Sequence, residues 1–188
     1  DSIIGSTGVN NIQGGAGNDS IEGGAGADVL DGGAGNDTAS YANAASAVTV
    51  SLATGTGTAG DANGDTLSNF ENLRGSIYAD TLTGSTADNT IWGGIGSDSI
   101  SGGAGNDTLY GEDGDDTIEG GAGTDTMDGG LGSNTLSYLN SSAGVTVSLA
   151  TSSGSGGDAT GDTFSNFINL TGSGQNDTLT GDANANII

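Results

Sequence analysis

The sequence predicts an all-β chain wound as a parallel solenoid, and three observations carry that prediction. Glycine-rich lines recur with a strict period of nine, as in GGAGNDSIE, GGAGADVLD and GGAGNDTAS (residues 14–40). The sixth position of every line is Asp or Asn, and the eighth is apolar without exception. Self-similarity at a short fixed period is the mark of stacked coils. With 39 Gly, 24 acids against one base and a net charge of −23, composition alone reads as a disordered linker. A linker has no reason to keep such phase.

The elements follow in chain order. Residues 1–40 form a first array whose lines begin at Gly5, Gly14, Gly23 and Gly32, preceded by the tail Asp1-Ser2-Ile3-Ile4. Residues 41–74 interrupt it. A second array of seven lines fills 75–137, a second interruption fills 138–171, and a third array starts at 172–188. The two interruptions match each other at an offset of 97, from Tyr41 against Tyr138 to Leu73 against Leu170. In each, alternation such as Val48-Thr49-Val50-Ser51-Leu52 reads as a half-buried strand. The stretches GDANGDTLS (60–68) and GDATGDTFS (157–165) read as worn lines with Asp65 and Asp162 in the sixth column. The inserts are therefore expected to be larger coils of one continuous solenoid, with Tyr41 and Tyr138 capping its core.

A triplet such as Ser20-Ile21-Glu22 is a minimal strand whose centre points inward and whose flanks point out. The six residues before it must reverse the chain, and glycine supplies the positive φ angles that this needs. Two lines then make one coil of 18 residues, and lines n and n+2 stack about 4.8 Å apart. Stacking lines up the sixth column as Asp80, Asp98, Asp116 and Asn134 on one edge and Asn89, Asp107 and Asp125 on the other. Two like charges about 4.8 Å apart repel by about 0.9 kcal/mol in water and roughly 3.5 kcal/mol at an effective dielectric of 20. Divalent cations between rungs reverse that sign. Without His or Cys the available ligands are oxygens, and calcium accepts six to eight of them in flexible geometry, whereas magnesium holds its water. The expected ligands are Asp19, Asp28, Asp37, Asp80, Asp98, Asp107, Asp116, Asp125 and Asp177, with Asp65, Asp162 and Asn134 as further members. Sites involving Asn10, Asn89, Asn134 or Asn186 should be weaker. With one apolar residue per line the core is thin, so metal binding should supply folding free energy and the metal-free chain should be disordered. The ninth-column acids Glu22, Asp31, Glu119 and Asp128 read as a solvated strand face, and Trp92 and Tyr110 as isolated surface aromatics.

The pattern GGxGxDxUx, with U apolar, resembles the nonapeptide of the RTX (repeats-in-toxin) family of secreted bacterial proteins, best in lines 14–22, 23–31, 93–101, 102–110 and 120–128. The resemblance implies a parallel β-roll or β-helix with several calcium ions in the GGxGxD turns. They would be held by the sixth-column Asp and by backbone oxygens of neighbouring turns. It also implies export as an unfolded chain that folds in external calcium, hence an extracellular or cell-surface location. Lines 5–13, 75–83, 84–92 and 172–180 depart from the pattern by lacking the second Gly.

The same composition excludes several functions. The charge disfavours nucleic acid and anionic membranes, and no stretch reaches the apolar length of a membrane span. With no His, Lys or Cys there is no base partner for a nucleophile, so no enzyme is expected. The chain begins and stops inside a repeat, which predicts either a piece of a longer solenoid or copies stacked head to tail. The expected role is a calcium-binding structural module of an adhesin, surface layer or filament. The alternatives are a calcium-dependent module binding carbohydrate or a protein partner, or the repeat region of a larger secreted enzyme or toxin.

Overall fold

The computed structural model describes all 188 residues. It is all-β apart from two single 3₁₀ turns, Gly60–Ala62 and Gly157–Ala159. Short parallel strands stack into a sheet of eight and a sheet of ten, and three further strands form a small sheet. The chain alternates between the two large sheets, so each strand pairs with the strand two lines away. Ile91 lies in register with Leu109 and Leu109 with Met127; on the opposite sheet Leu82, Ile100, Ile118 and Leu136 stack in the same way. This is the predicted solenoid with its predicted register.

Eighth-column residues from both sheets meet inside, and Ile21, Leu73, Ile91, Leu109 and Ile118 have no exposed surface. The strands run further than the expected triplet. In Asn11–Ala16, Val29–Ala34, Thr90–Ile95, Ser99–Ala104, Thr108–Asp113 and Thr117–Ala122, pairing continues through the first two positions of the next line, a glycine pair in all but Gly111-Glu112, to its third. Gly103 pairs with Gly121 and Ala104 with Ala122, for example. The reversal is thus confined to the fourth to sixth positions. Glycine without a side chain lets neighbouring coils pair where a six-residue turn was expected.

The inserts add strands to the same solenoid. In the first, Thr66–Ser68 stacks on Val29–Ala34, Asn72–Arg74 on Thr38–Ser40, and Thr49–Ser51 under Thr81–Thr83. Between these lies Thr56–Ala59, antiparallel to Thr49–Ser51. The second insert repeats this plan, with Ser153–Ser155 antiparallel to Thr146–Ser148. Nothing in the nine-residue period foretold these antiparallel hairpins. Because an odd number of lines separates the inserts, their matching last strands join opposite large sheets, Thr66–Ser68 the ten-stranded and Thr163–Ser165 the eight-stranded one. The first hairpin enters the ten-stranded sheet through the pairing of Thr56 with Thr66, whereas the second pairs with Thr178–Thr180 and forms the small sheet.

The ninth-column acids lie half-exposed on the strand face and also hold partners there. Glu22 accepts from Asn43 at 2.9 Å, and Glu119 accepts from both the backbone and the side chain of Asn140 at 2.8 Å. Asp31 and Asp128 accept from Asn69 and Asn166 at 2.7 and 2.6 Å. They are clamps on the inserts, because each insert folds back along the strand face that precedes it. Trp92 and Tyr110 are likewise not isolated: coil stacking brings them together, ring planes 10° apart and centroids at 6.2 Å.

Candidate metal centre

The sixth-column side chains lie inside the turns. Asp19, Asp28, Asp37, Asp80, Asp98, Asp107, Asp116 and Asp125 are all at most 3% exposed. Each rung is tied to the previous coil by a bond the sequence did not suggest. One carboxylate oxygen accepts the backbone N–H of the residue one coil back. Asp80 donates in this way to Asp98 (2.7 Å), Asp98 to Asp116 (2.9 Å) and Asp116 to the Asn134 amide oxygen (2.9 Å). On the other edge Asn89 donates to Asp107 and Asp107 to Asp125, both at 2.8 Å. In the first array Asp19 donates to Asp37, and Asn10 to Asp28.

The second oxygen separates the rungs into two kinds. In Asp19, Asp28, Asp37, Asp98, Asp107, Asp116 and Asp125, Oδ2 is buried and has no hydrogen-bond partner. A buried carboxylate oxygen left bare is costly and calls for a cation or a donor. A Cβ on the first glycine of the same line would collide with this oxygen, as at Gly93 with Asp98 and Gly102 with Asp107. The same Cβ at Gly93 would also meet the Gly111 carbonyl oxygen one coil on. The first glycine therefore keeps open a space bordered by a carboxylate and a carbonyl oxygen. No group of three or more acids converges anywhere in the chain. A cation here would complete its shell from backbone carbonyls, the donor set that calcium accepts. The residues present fit calcium.

In lines whose second residue is Ser or Asp the acceptor is already met. Ser76 donates to Asp80 Oδ2 from its N–H at 2.5 Å and from its hydroxyl at 2.9 Å. Ser85 closes on Asn89, Ser6 on Asn10 and Asp182 on Asn186 through the backbone N–H; the Ser173 hydroxyl instead donates to Asp177 Oδ1, the oxygen that also accepts the Val145 N–H. What distinguishes the two kinds is the φ angle at the second position. In every line with a bare oxygen it is positive, from Gly24 at 86° to Gly94 and Gly103 at 110°, and Glu112 in line 111–119 adopts 70° without being glycine. The closed lines have no positive φ there. Holding Glu112 in the left-handed region costs on the order of 1 kcal/mol.

The remaining expected ligands have protein partners. Asp177 accepts from the Val145 N–H and the Ser173 hydroxyl. Asn134 turns its amide nitrogen to the carbonyls of Asn166 and Gly130. Asp65 and Asp162 do occupy rungs, accepting from the N–H of Asp28 and Asp125. Their second oxygens accept the hydroxyls of Tyr41 and Tyr138, each at 3.0 Å. Glu71, which no pattern marked, takes the rung above Asp37 at 2.8 Å; the matching residue of the second insert is Ile168. A fifth-column ladder also escaped the sequence: the side-chain oxygens of Asn18, Asp88, Asn106 and Asp115 accept N–H groups one coil on.

Burial dominates the acidities. It pushes Asp98 up to about 7 and Asp107 and Asp162 up to about 6, partly offset by the rung hydrogen bond. It also raises Asp65, Asp116 and Asp125. Neighbouring carboxylates add to the rise, Asp80 and Asp116 in the case of Asp98. Without a cation these groups take up protons at a higher pH than an exposed carboxylate does.

A family model described as the RTX calcium-binding nonapeptide repeat matches residues 4–39, 74–109, 101–136 and 169–188, more than half of the chain. The chain belongs to the RTX calcium-binding repeat family. Its repeats bind several calcium ions, and the β-roll is the fold they build here. No curated protein matches the chain. The family-model matches skip most of both inserts, so the Tyr–Asp contacts belong to segments that the RTX repeat itself does not describe.

Proposed function

We propose that this RTX chain is a calcium-gated structural module of a secreted or cell-surface bacterial protein, folding where external calcium is available. The observation that carries this reading is the set of seven buried, unpartnered carboxylate oxygens at Asp19, Asp28, Asp37, Asp98, Asp107, Asp116 and Asp125. Calcium is assigned to these rungs and not to Asp80, Asp65, Asp162 or Asn134, whose polar atoms the protein already engages, nor to Asp177, which is only half-buried. A dication at each bare rung relieves the repulsion along the ladder and replaces the missing donor, so binding and folding are one process. The net charge of −23 opposes compaction of the metal-free arrays. The module performs no reaction; its stiffness in calcium suits a spacer in an adhesin, surface layer or filament. No helix is long and apolar enough to cross a membrane.

The test is a calcium titration followed by far-UV circular dichroism and light scattering together, with magnesium as control. β signal that rises cooperatively with calcium alone supports the reading, and a simultaneous rise in scattering adds self-assembly to it. A chain fully folded in chelator, or unfolded at millimolar calcium, overturns it.

A further inference from the structure

Two rungs of the ladders are completed without a cation. At Asp65 and Asp162, Oδ1 accepts the N–H one coil back, as in every rung, at 2.7 and 2.9 Å. Oδ2, the atom left bare elsewhere, accepts a tyrosine hydroxyl at 3.0 Å in both inserts. Tyr41 is 2% exposed and Tyr138 not at all, so neither hydroxyl can turn to water. The same two residues close their inserts. The Tyr41 N–H donates to the Arg74 carbonyl and the Tyr138 N–H to the Thr171 carbonyl, both at 2.9 Å, joining the first and last residues of each 34-residue segment.

We propose that Tyr41 and Tyr138 take the place of calcium at Asp65 and Asp162, so that each insert carries a metal-independent rung and keeps its fold in chelator. A buried carboxylate needs either a cation or a donor at each oxygen, and the phenol supplies the donor with its ring filling the adjoining space. The arrangement occurs twice, 97 residues apart, in two inserts that differ at 13 of their 34 positions and keep both the Tyr and the Asp. The ladder runs Asn10–Asp28–Asp65 and Asn89–Asp107–Asp125–Asp162 therefore both end on a rung that is complete before any metal arrives. An array folding against an insert starts from a preformed surface. This inference rests on the assignment of calcium to the seven bare rungs.

The experiment counts calcium by native mass spectrometry and follows amide exchange in chelator for four proteins: the parent chain, D98N, D65N/D162N and Y41F/Y138F. Asn keeps the Oδ1 acceptor of each rung, and Phe keeps the ring, so the variants preserve packing. D98N should lose at least one ion, while D65N/D162N keeps the parent count. In chelator, amides of 41–74 and 138–171 should exchange at least tenfold more slowly than those of 75–137, and Y41F/Y138F should abolish that difference. Loss of ions from D65N/D162N overturns the proposal. So does parent exchange that is equally fast in inserts and array, or protection that survives in Y41F/Y138F. A D98N chain that retains every ion instead overturns the calcium assignment beneath it.

Discussion

The second array and the first insert solve one problem, burial of a polar glycine-rich chain, by opposite means. The array of residues 75–137 buries one apolar side chain per line, Leu82, Ile91, Ile100, Leu109, Ile118, Met127 and Leu136. The insert of residues 41–74, about half as long, buries Tyr41, Ala44, Val48, Val50, Ala62, Leu67, Phe70 and Leu73. The array also buries Asp98, Asp107, Asp116 and Asp125 with one oxygen of each unpartnered, whereas the insert's Asp65 has both oxygens bonded. On the proposed function, hydrophobic burial stabilises the insert while the array draws on what its turns bind. Within one continuous roll, the segment denser in buried apolar side chains is the one whose rung carboxylate is fully bonded.

The strongest way to break that comparison is to remove the metal. Chelator should abolish most of the β signal of the chain, and limited proteolysis should then cut within 75–137 well before it cuts within either insert. Cleavage at equal rates would erase the distinction. Next in size are the inward apolar residues. Ile100→Ala, at a position 2% exposed, should cost about 3 kcal/mol in calcium-saturated urea unfolding. Val50→Ala, with denser neighbours, should cost about 2 kcal/mol and leave the calcium midpoint unmoved. A Val50 variant that shifts the midpoint as much as Ile100→Ala does would show that insert and array fold as one unit.

Gly94→Ser sharpens the comparison inside the array. Its φ of 110° and the approach of the Ser76 carbonyl oppose any side chain, and relaxation to a negative φ would close the turn on Asp98 as Ser76 closes on Asp80. The expected outcome is one fewer calcium per chain by native mass spectrometry and a loss of about 2 kcal/mol in thermal unfolding.

Acid should act in the same direction but more gently. Folded Asp98 and Asp107 hold protons more tightly than the ordinary carboxylate value of 3.8, up to about 7 and about 6. In the metal-free chain their contribution to stability is complete below 3.8 and is lost as pH rises through 6 to 7. Protons therefore compete with calcium, and the calcium midpoint should rise about tenfold between pH 7.5 and pH 5.5. A midpoint that stays flat over that window would contradict burial as the cause of the raised values. Smallest of all, Glu119→Ala removes the clamp on Asn140 and should cost about 1 kcal/mol, speeding exchange at 138–142 alone.

Much of the candidate site was legible. The strict sixth column placed Asp19, Asp28, Asp37, Asp98, Asp107, Asp116 and Asp125 in ladders, and the missing second glycine already set lines 75–83 and 84–92 apart. Reading could not tell that Ser76 would satisfy Asp80 completely, because that depends on a φ angle and a hydroxyl rotamer. Line 111–119 misleads in the opposite sense: Glu112 replaces the glycine, yet its positive φ keeps Asp116 open. Glu71 and the fifth-column acceptors carried no signal at all, since a rung is made by whichever acceptor the neighbouring coil happens to present.

The sequence by itself determined the period, the faces and the stacking. Alternation decides which side chains point inward, and a repeat of 18 residues per coil leaves one register that buries them all. Only the tertiary structure decided which carboxylate oxygens stay bare. Hydrogen bonds are short and directional, and their donors here come from other coils, from a serine whose φ angle turns it onto the carboxylate of its own line, or from tyrosines 24 residues away. Identity at a position sets what a side chain can accept; the packed neighbours set whether anything is left for calcium.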